Sequence, residues 1–203
     1  MVIMKLISFG TTRLLKEKFV GKSPILSASI NKPSRAVWAC EYIPNIDNKE
    51  YHFHSEWEAW SVRESFRMDT LETGVIFELK PDTKILEIDS FETLDKLYET
   101  YKYIPIKTGN SIIDEWYDTC MIHTFDYEKI TKDYDVVHVH ECATYPRFDE
   151  MFSSVGMSSW YIDSYAILNF DCIDLDSQEA FINPIKYSKI TDKEWCDIID
   201  NAD

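Results

Sequence analysis

The sequence predicts one domain of mixed α+β type, and three observations carry that prediction. Short apolar runs at 6–9, 36–42 and 136–140 have the length and β-branched or aromatic content of strands. Between them lie stretches with helical spacing, among them 56–67 opened by Ser55 and a helix from Ser90 or Phe91 to Tyr101. No repeat, low-complexity tract or linker divides the 203 residues, a length that buries a sizeable core.

In chain order, the strand at 6–9 ends on Gly10, Thr11 and Thr12, which offer backbone N–H groups and hydroxyls to a closely approaching ligand. Residues 14–34 contain Gly21, Pro24 and Pro33 and read as a loop with a short ordered piece at 24–29. Trp38 sits at the centre of the strand at 36–42, and 44–50 is a loop. Ser55 with Glu58 three residues on is a capping-box pattern, and Trp57 and Trp60 share one face of the helix that follows. Strands at 74–79 and 84–88 flank a turn at Pro81 and Asp82. Helices at 91–101 and 112–121 and a short one near Asp126 lead to the strand Val-Val-His-Val-His at 136–140. A long irregular segment spans 142–159.

The stretch from Trp160 to Ile173 is the one around which a site would be organised. Two large aromatics precede Asp163 and Ser164, and an apolar run at 165–170 follows. A carboxylate and a hydroxyl at the mouth of a core strand, beside aromatic faces, are groups held by a rigid element. An acidic segment, a last strand at 182–187 and a helix capped by Thr191 at 191–199 complete the chain.

Composition narrows the functional classes. The net charge is −15, from 36 acidic and 21 basic residues, and such a field repels a phosphate backbone. Five cysteines, an odd count without a CxxC motif, argue for reduced thiols in a cytoplasmic setting. No apolar run approaches the length of a membrane helix, so no membrane partner is expected. Aromatics reach 14 %, with 6 Trp and 12 Tyr, which favours a site that uses flat rings.

His52 and His54 are two apart, as are His138 and His140, with Glu141 adjacent. On a strand, residues two apart face one side, so each pair could clamp a zinc, iron or nickel ion. The pairs lie on separate elements with no sign of convergence, so no metal is expected. There is no Gly-x-Ser-x-Gly elbow, Walker A loop or Gly-x-Gly-x-x-Gly, and five glycines are too few for such a phosphate cradle.

The phrases Val-Trp-Ala-Cys, Ser-Glu-Trp-Glu-Ala-Trp, Lys-Ile-Leu-Glu-Ile-Asp-Ser, Asp-Tyr-Asp-Val-Val-His and Asp-Ser-Tyr-Ala-Ile-Leu-Asn-Phe-Asp-Cys-Ile occur in that order. Together with Phe9-Gly10-Thr11 they resemble small phage and bacterial proteins of the ADP-ribosyltransferase superfamily, in its diphtheria-toxin and poly(ADP-ribose) polymerase branch. The resemblance implies split mixed or antiparallel sheets with flanking helices, and NAD as substrate. It implies that Phe9, Gly10, Thr11, Trp38, Ser55, Trp57 and Trp60 line the NAD site and that Asp163 or Ser164 stands at the catalytic position. Phe9 replaces the family's histidine, and Asp163 or Ser164 its glutamate. A carboxylate fixed beside the ribose would stabilise the positive charge that grows as nicotinamide leaves.

The function expected from this resemblance is NAD-dependent ADP-ribosyl transfer to a protein or nucleic-acid acceptor, as in a toxin, a phage-defence protein or a phage effector. Its acceptor would be recognised by the 142–159 segment, with an antitoxin or other protein as a possible partner. One alternative is a catalytically inactive module of that fold binding NAD, a nucleotide signal or a protein. Another is a metal-dependent hydrolase or oxygenase using His52, His54, His138 and His140.

Overall fold

A computed structural model of the chain describes residues 4–19, 32–33, 35–44, 53–104, 109–112, 114–115, 125–143, 160 and 162–187. The chain is α+β, as its sequence pattern predicts: strands predominate and the helices are few and short among the described residues. Its contacts form two compact units, each assembled from separated stretches of sequence. The first comprises Met1–Lys18, Trp38–Asp82 and Asp171–Asp203; the second comprises Phe19–Val37 and Thr83–Phe170. No helix among the described residues is long and apolar enough to cross a membrane.

The first unit is built on an antiparallel sheet of β1 (Lys5–Phe9), β2 (Val37–Glu41), β3 (Thr73–Leu79) and β7 (Ile173–Ile182), in the order β2-β1-β3-β7. Leu6, Val75 and Phe77 are fully buried, each contributing on the order of 2 kcal/mol by leaving water. Helix α2 (Glu56–Arg63), which follows a short α1 (Lys16–Phe19) in the chain, starts where the capping pattern places it, with Ser55 Oγ accepting from the Glu58 N–H at 3.1 Å. It stops four residues short of the expected end at Arg67. Ser65 and Arg67 adopt left-handed φ values of 52° and 47°, turning the chain into a 3-10 segment at Met68–Glu72.

The second unit holds a three-stranded sheet. β4 (Ile85–Ile88) pairs in parallel with β5 (Val136–Val139), and β5 pairs antiparallel with β6 (Ser164–Ile167). As the middle strand of this sheet, β5 is buried along its whole length. Helix α3 (Phe91–Tyr101) is capped by Ser90 and buries Leu94, Tyr98 and Tyr101, the one-faced spacing of an amphipathic helix.

Two expectations about the late chain are corrected. The apolar run after Ser164 does not continue as a strand to Phe170. The N–H groups of Leu168 and Asn169 both donate to Asp135 O, at 2.8 and 3.0 Å, and Asn169 Nδ2 donates to Asp135 Oδ1 at 2.7 Å. That anchor ends β6, and Phe170–Cys172 forms a 3-10 turn. Among the described residues the last strand lies at Ile173–Ile182 rather than 182–187, and runs through the acidic segment. Its polar side chains support the pairing: Ser177 Oγ accepts the Glu78 N–H at 2.8 Å beside the register shift in β3. The expected piece at 24–29, most of the loop at 44–50 and of the helix at 112–121, the 144–159 segment and the helix at 191–199 lie outside the described residues.

Candidate functional site

In the second unit the pleat of the sheet gathers polar residues onto one face. His138 lies beside Glu87 of β4 and Tyr165 of β6 in the strand register. Side chains two apart share a face, so His140 and Asp163 project to the same side. The result is a closed set of contacts. His138 Nδ1 lies 2.6 Å from Glu87 Oε2, and His138 Nε2 lies 2.7 Å from Asp163 Oδ1. His140 Nε2 lies 3.0 Å from the same Glu87 oxygen, and His140 Nδ1 lies 3.5 Å from Asp163 Oδ2.

Packing fixes the rings. The His138 imidazole stacks on Tyr165, centroids 3.8 Å apart and planes 10° from parallel, and lies 4.1 Å from the His140 ring. His138 is buried, whereas the side chains of Glu87, His140 and Asp163 are 50 %, 36 % and 31 % exposed. The cluster is thus anchored on its inner side and reachable from water. Burial alone would lower the His138 pKa; the carboxylates of Asp163 and Glu87 overcome that and hold it above the ordinary imidazole value.

One ligand atom each from Glu87, His138 and His140 lie within 4.8 Å of one another. Two imidazoles with a carboxylate are a donor set for zinc or for non-haem iron. Ligands about 2.1 Å from a tetrahedral ion stand about 3.4 Å apart. The contacts of Glu87 with the two rings, at 2.6 and 3.0 Å, would need to open by only a few tenths of an ångström to about 1 Å.

The first histidine pair has another setting. His52 lies outside the described residues. His54 belongs to the first unit, where its N–H donates to Glu58 Oε2 at 2.6 Å and its Nδ1 faces the same oxygen at 3.1 Å. The other Glu58 oxygen accepts from Tyr187 OH at 2.7 Å and from Asn183 Nδ2. Burial would raise the Glu58 pKa, but these hydrogen bonds prevail and hold it below the ordinary carboxylate value. Every oxygen of Glu58 is occupied, so this pair braces α2 against the segment after β7.

The residues named through the resemblance fall in both units. Phe9 closes β1 and packs edge-on against Phe181. Gly10 has a φ of +87°, and its N–H is taken by Thr73 O at 2.9 Å. Thr11 Oγ1 turns back to donate to Arg13 O. Trp38 lies on β2, half-buried. Ser55 is the cap of α2; Trp57 and Trp60 stack on each other at 5.2 Å, with Phe66 edge-on to both. All of these lie in the first unit, whereas Asp163 and Ser164 lie in the second. Ser164 is buried, and its Oγ donates to Ile162 O at 2.9 Å, a bond that shapes the entry to β6.

Glu87 was not among the residues the sequence singled out. Its signal was a lone acid between the apolar residues Ile85, Leu86 and Ile88, at a position whose neighbours point into the core. Comparison with protein-family models, curated proteins and solved structures gives no match for the chain.

Proposed function

We propose that this chain is a metal-dependent enzyme whose ion is held by Glu87, His138 and His140. The observation that supports this is the convergence of three donor atoms of the right type on a face open to water. A structural ion is closed off by four protein ligands, whereas three ligands with a solvent side leave room for a reacting water or dioxygen. His54 and the buried Glu58 brace the first unit and take no part in this site.

The expectation of a metal-free chain rested on two histidine pairs having to meet. The proposal needs one pair, with a carboxylate from the neighbouring strand. Its test is metal analysis of protein purified without added metal. About one zinc or iron per chain is expected, lost in His140→Ala. A chain without metal that also fails to bind zinc when it is supplied overturns the reading.

A second reading keeps NAD-dependent ADP-ribosyl transfer, with Asp163 as the carboxylate beside the ribose. It is favoured by the ordered resemblance and by the partial exposure of Asp163 at the start of β6. Against it, both Asp163 oxygens face imidazole nitrogens, and a basic His138 offsets the charge a ribosyl cation would use. Nicotinamide release from NAD, abolished by Asp163→Asn and indifferent to chelators, would establish it. NAD binding without cleavage would instead indicate the inactive module of that fold.

A further inference from the structure

We infer that Asp163 is the positioning residue of this centre, holding opposite tautomers in its two imidazoles when an ion is bound, so that both present a lone pair to one point. The inference rests on the proposed metal site and adds a role that the ligand set alone does not contain. Each ring has one nitrogen facing Glu87 and the other facing Asp163. For His138 these are Nδ1 and Nε2, respectively; for His140 they are Nε2 and Nδ1.

A neutral imidazole carries a single N–H, and a carboxylate beside one nitrogen draws the proton there. Without an ion the two carboxylates compete, and Glu87 stands nearer to both rings, at 2.6 against 2.7 Å for His138 and 3.0 against 3.5 Å for His140. An ion bound by Glu87 would remove that competition: it would take the lone pairs of His138 Nδ1 and His140 Nε2 and leave the protons on His138 Nε2, facing Asp163 Oδ1, and on His140 Nδ1, facing Asp163 Oδ2. Both lone pairs then point to the Glu87 side. The arrangement also explains why one ring would bind through Nδ1 and the other through Nε2. The rings come from alternate positions of one strand but meet the same two carboxylates with their nitrogens reversed. Oxygens bonded to the outer nitrogen of a ligating histidine fix its orientation and raise its basicity.

The experiment combines nitrogen-detected imidazole NMR with zinc titration. The NMR is run on the chain with one equivalent of Zn²⁺ alone. The expected result is an Nε2–H tautomer at His138 and an Nδ1–H tautomer at His140. Asp163→Ala should weaken zinc binding by about 10- to 100-fold and mix the tautomers, and Asp163→Glu should recover part of the loss. An Nδ1–H tautomer at His138 in the zinc-bound chain overturns the inference and needs no variant to fold. Unchanged zinc affinity in Asp163→Ala, with wild-type binding intact, also overturns it while leaving the metal site standing. If the wild type binds no zinc, the metal reading fails and the inference falls with it.

Discussion

His54 with Glu58 and His138 with Glu87 are the same pair of side chains at similar separations, 3.1 and 2.6 Å. Their surroundings differ. Glu58 is wholly buried and surrounded by donors that belong to the fold: a backbone N–H, an amide and a phenol. Glu87 is half exposed and, among the described residues, meets two imidazoles, whose other nitrogens face a second carboxylate. A buried carboxylate with all its acceptor sites filled can only stabilise, because any change leaves a donor unsatisfied. A carboxylate shared between two rings at a water-facing surface can exchange those partners for an ion at small cost. Saturation and exposure, rather than residue type, separate a brace from a site.

The sharpest way to break this contrast is to delete each carboxylate. Glu58→Ala should lower stability to urea unfolding by about 3 kcal/mol or more, since it strands buried donors. Glu87→Ala should cost less than about 1 kcal/mol in the metal-free chain, as expected of a half-exposed ion pair. Equal costs would mean that the second cluster is also a structural brace.

Acid sharpens the same difference. A carboxyl whose pKa is depressed on folding contributes stability above its unfolded value, ordinarily 4.5 for Glu58, and loses it as pH falls through the lower folded value. Urea midpoints measured from neutral pH downward should therefore fall below about pH 4.5, and Glu58→Gln should lack that part of the slope. A Glu58→Gln chain with an unaltered profile would remove Glu58 from the account. A further expected effect concerns the ring beneath the site. Tyr165→Leu removes the stacking partner of His138 and should cost about 1 kcal/mol, measured by urea unfolding. It should also loosen zinc by a few-fold. A Tyr165→Leu chain with wild-type stability would mean that the stack does not hold the ring.

The parts of this architecture legible in the sequence are those set by neighbours in the chain. Ser55 and Glu58 announce α2, because a cap is a local bond. The Val-Val-His-Val-His alternation announces that His138 and His140 share a face. The parts that were not legible depend on distant partners. β6 ends where it does because Asp135 captures its following N–H groups. α2 ends early on left-handed Ser65 and Arg67, with no glycine to mark the turn. β7 was hidden because Asp174, Asp176 and Glu179 interrupt it and only Ile173 and Phe181 are buried along it. Glu87 joined the site only through the parallel register of β4 and β5, which pairs it with a residue about 50 positions away. Asp163 was legible as a carboxylate at a strand mouth, but its imidazole partners were not.

The most direct test of the contrast is a titration of the metal-free chain with Co²⁺, followed by its visible absorption, in wild type, His54→Asn and His140→Ala. One equivalent should bind to wild type and to His54→Asn with the same spectrum, and His140→Ala should bind at least about 100-fold more weakly. Loss of binding in His54→Asn with retention in His140→Ala would contradict the assignment of the two pairs.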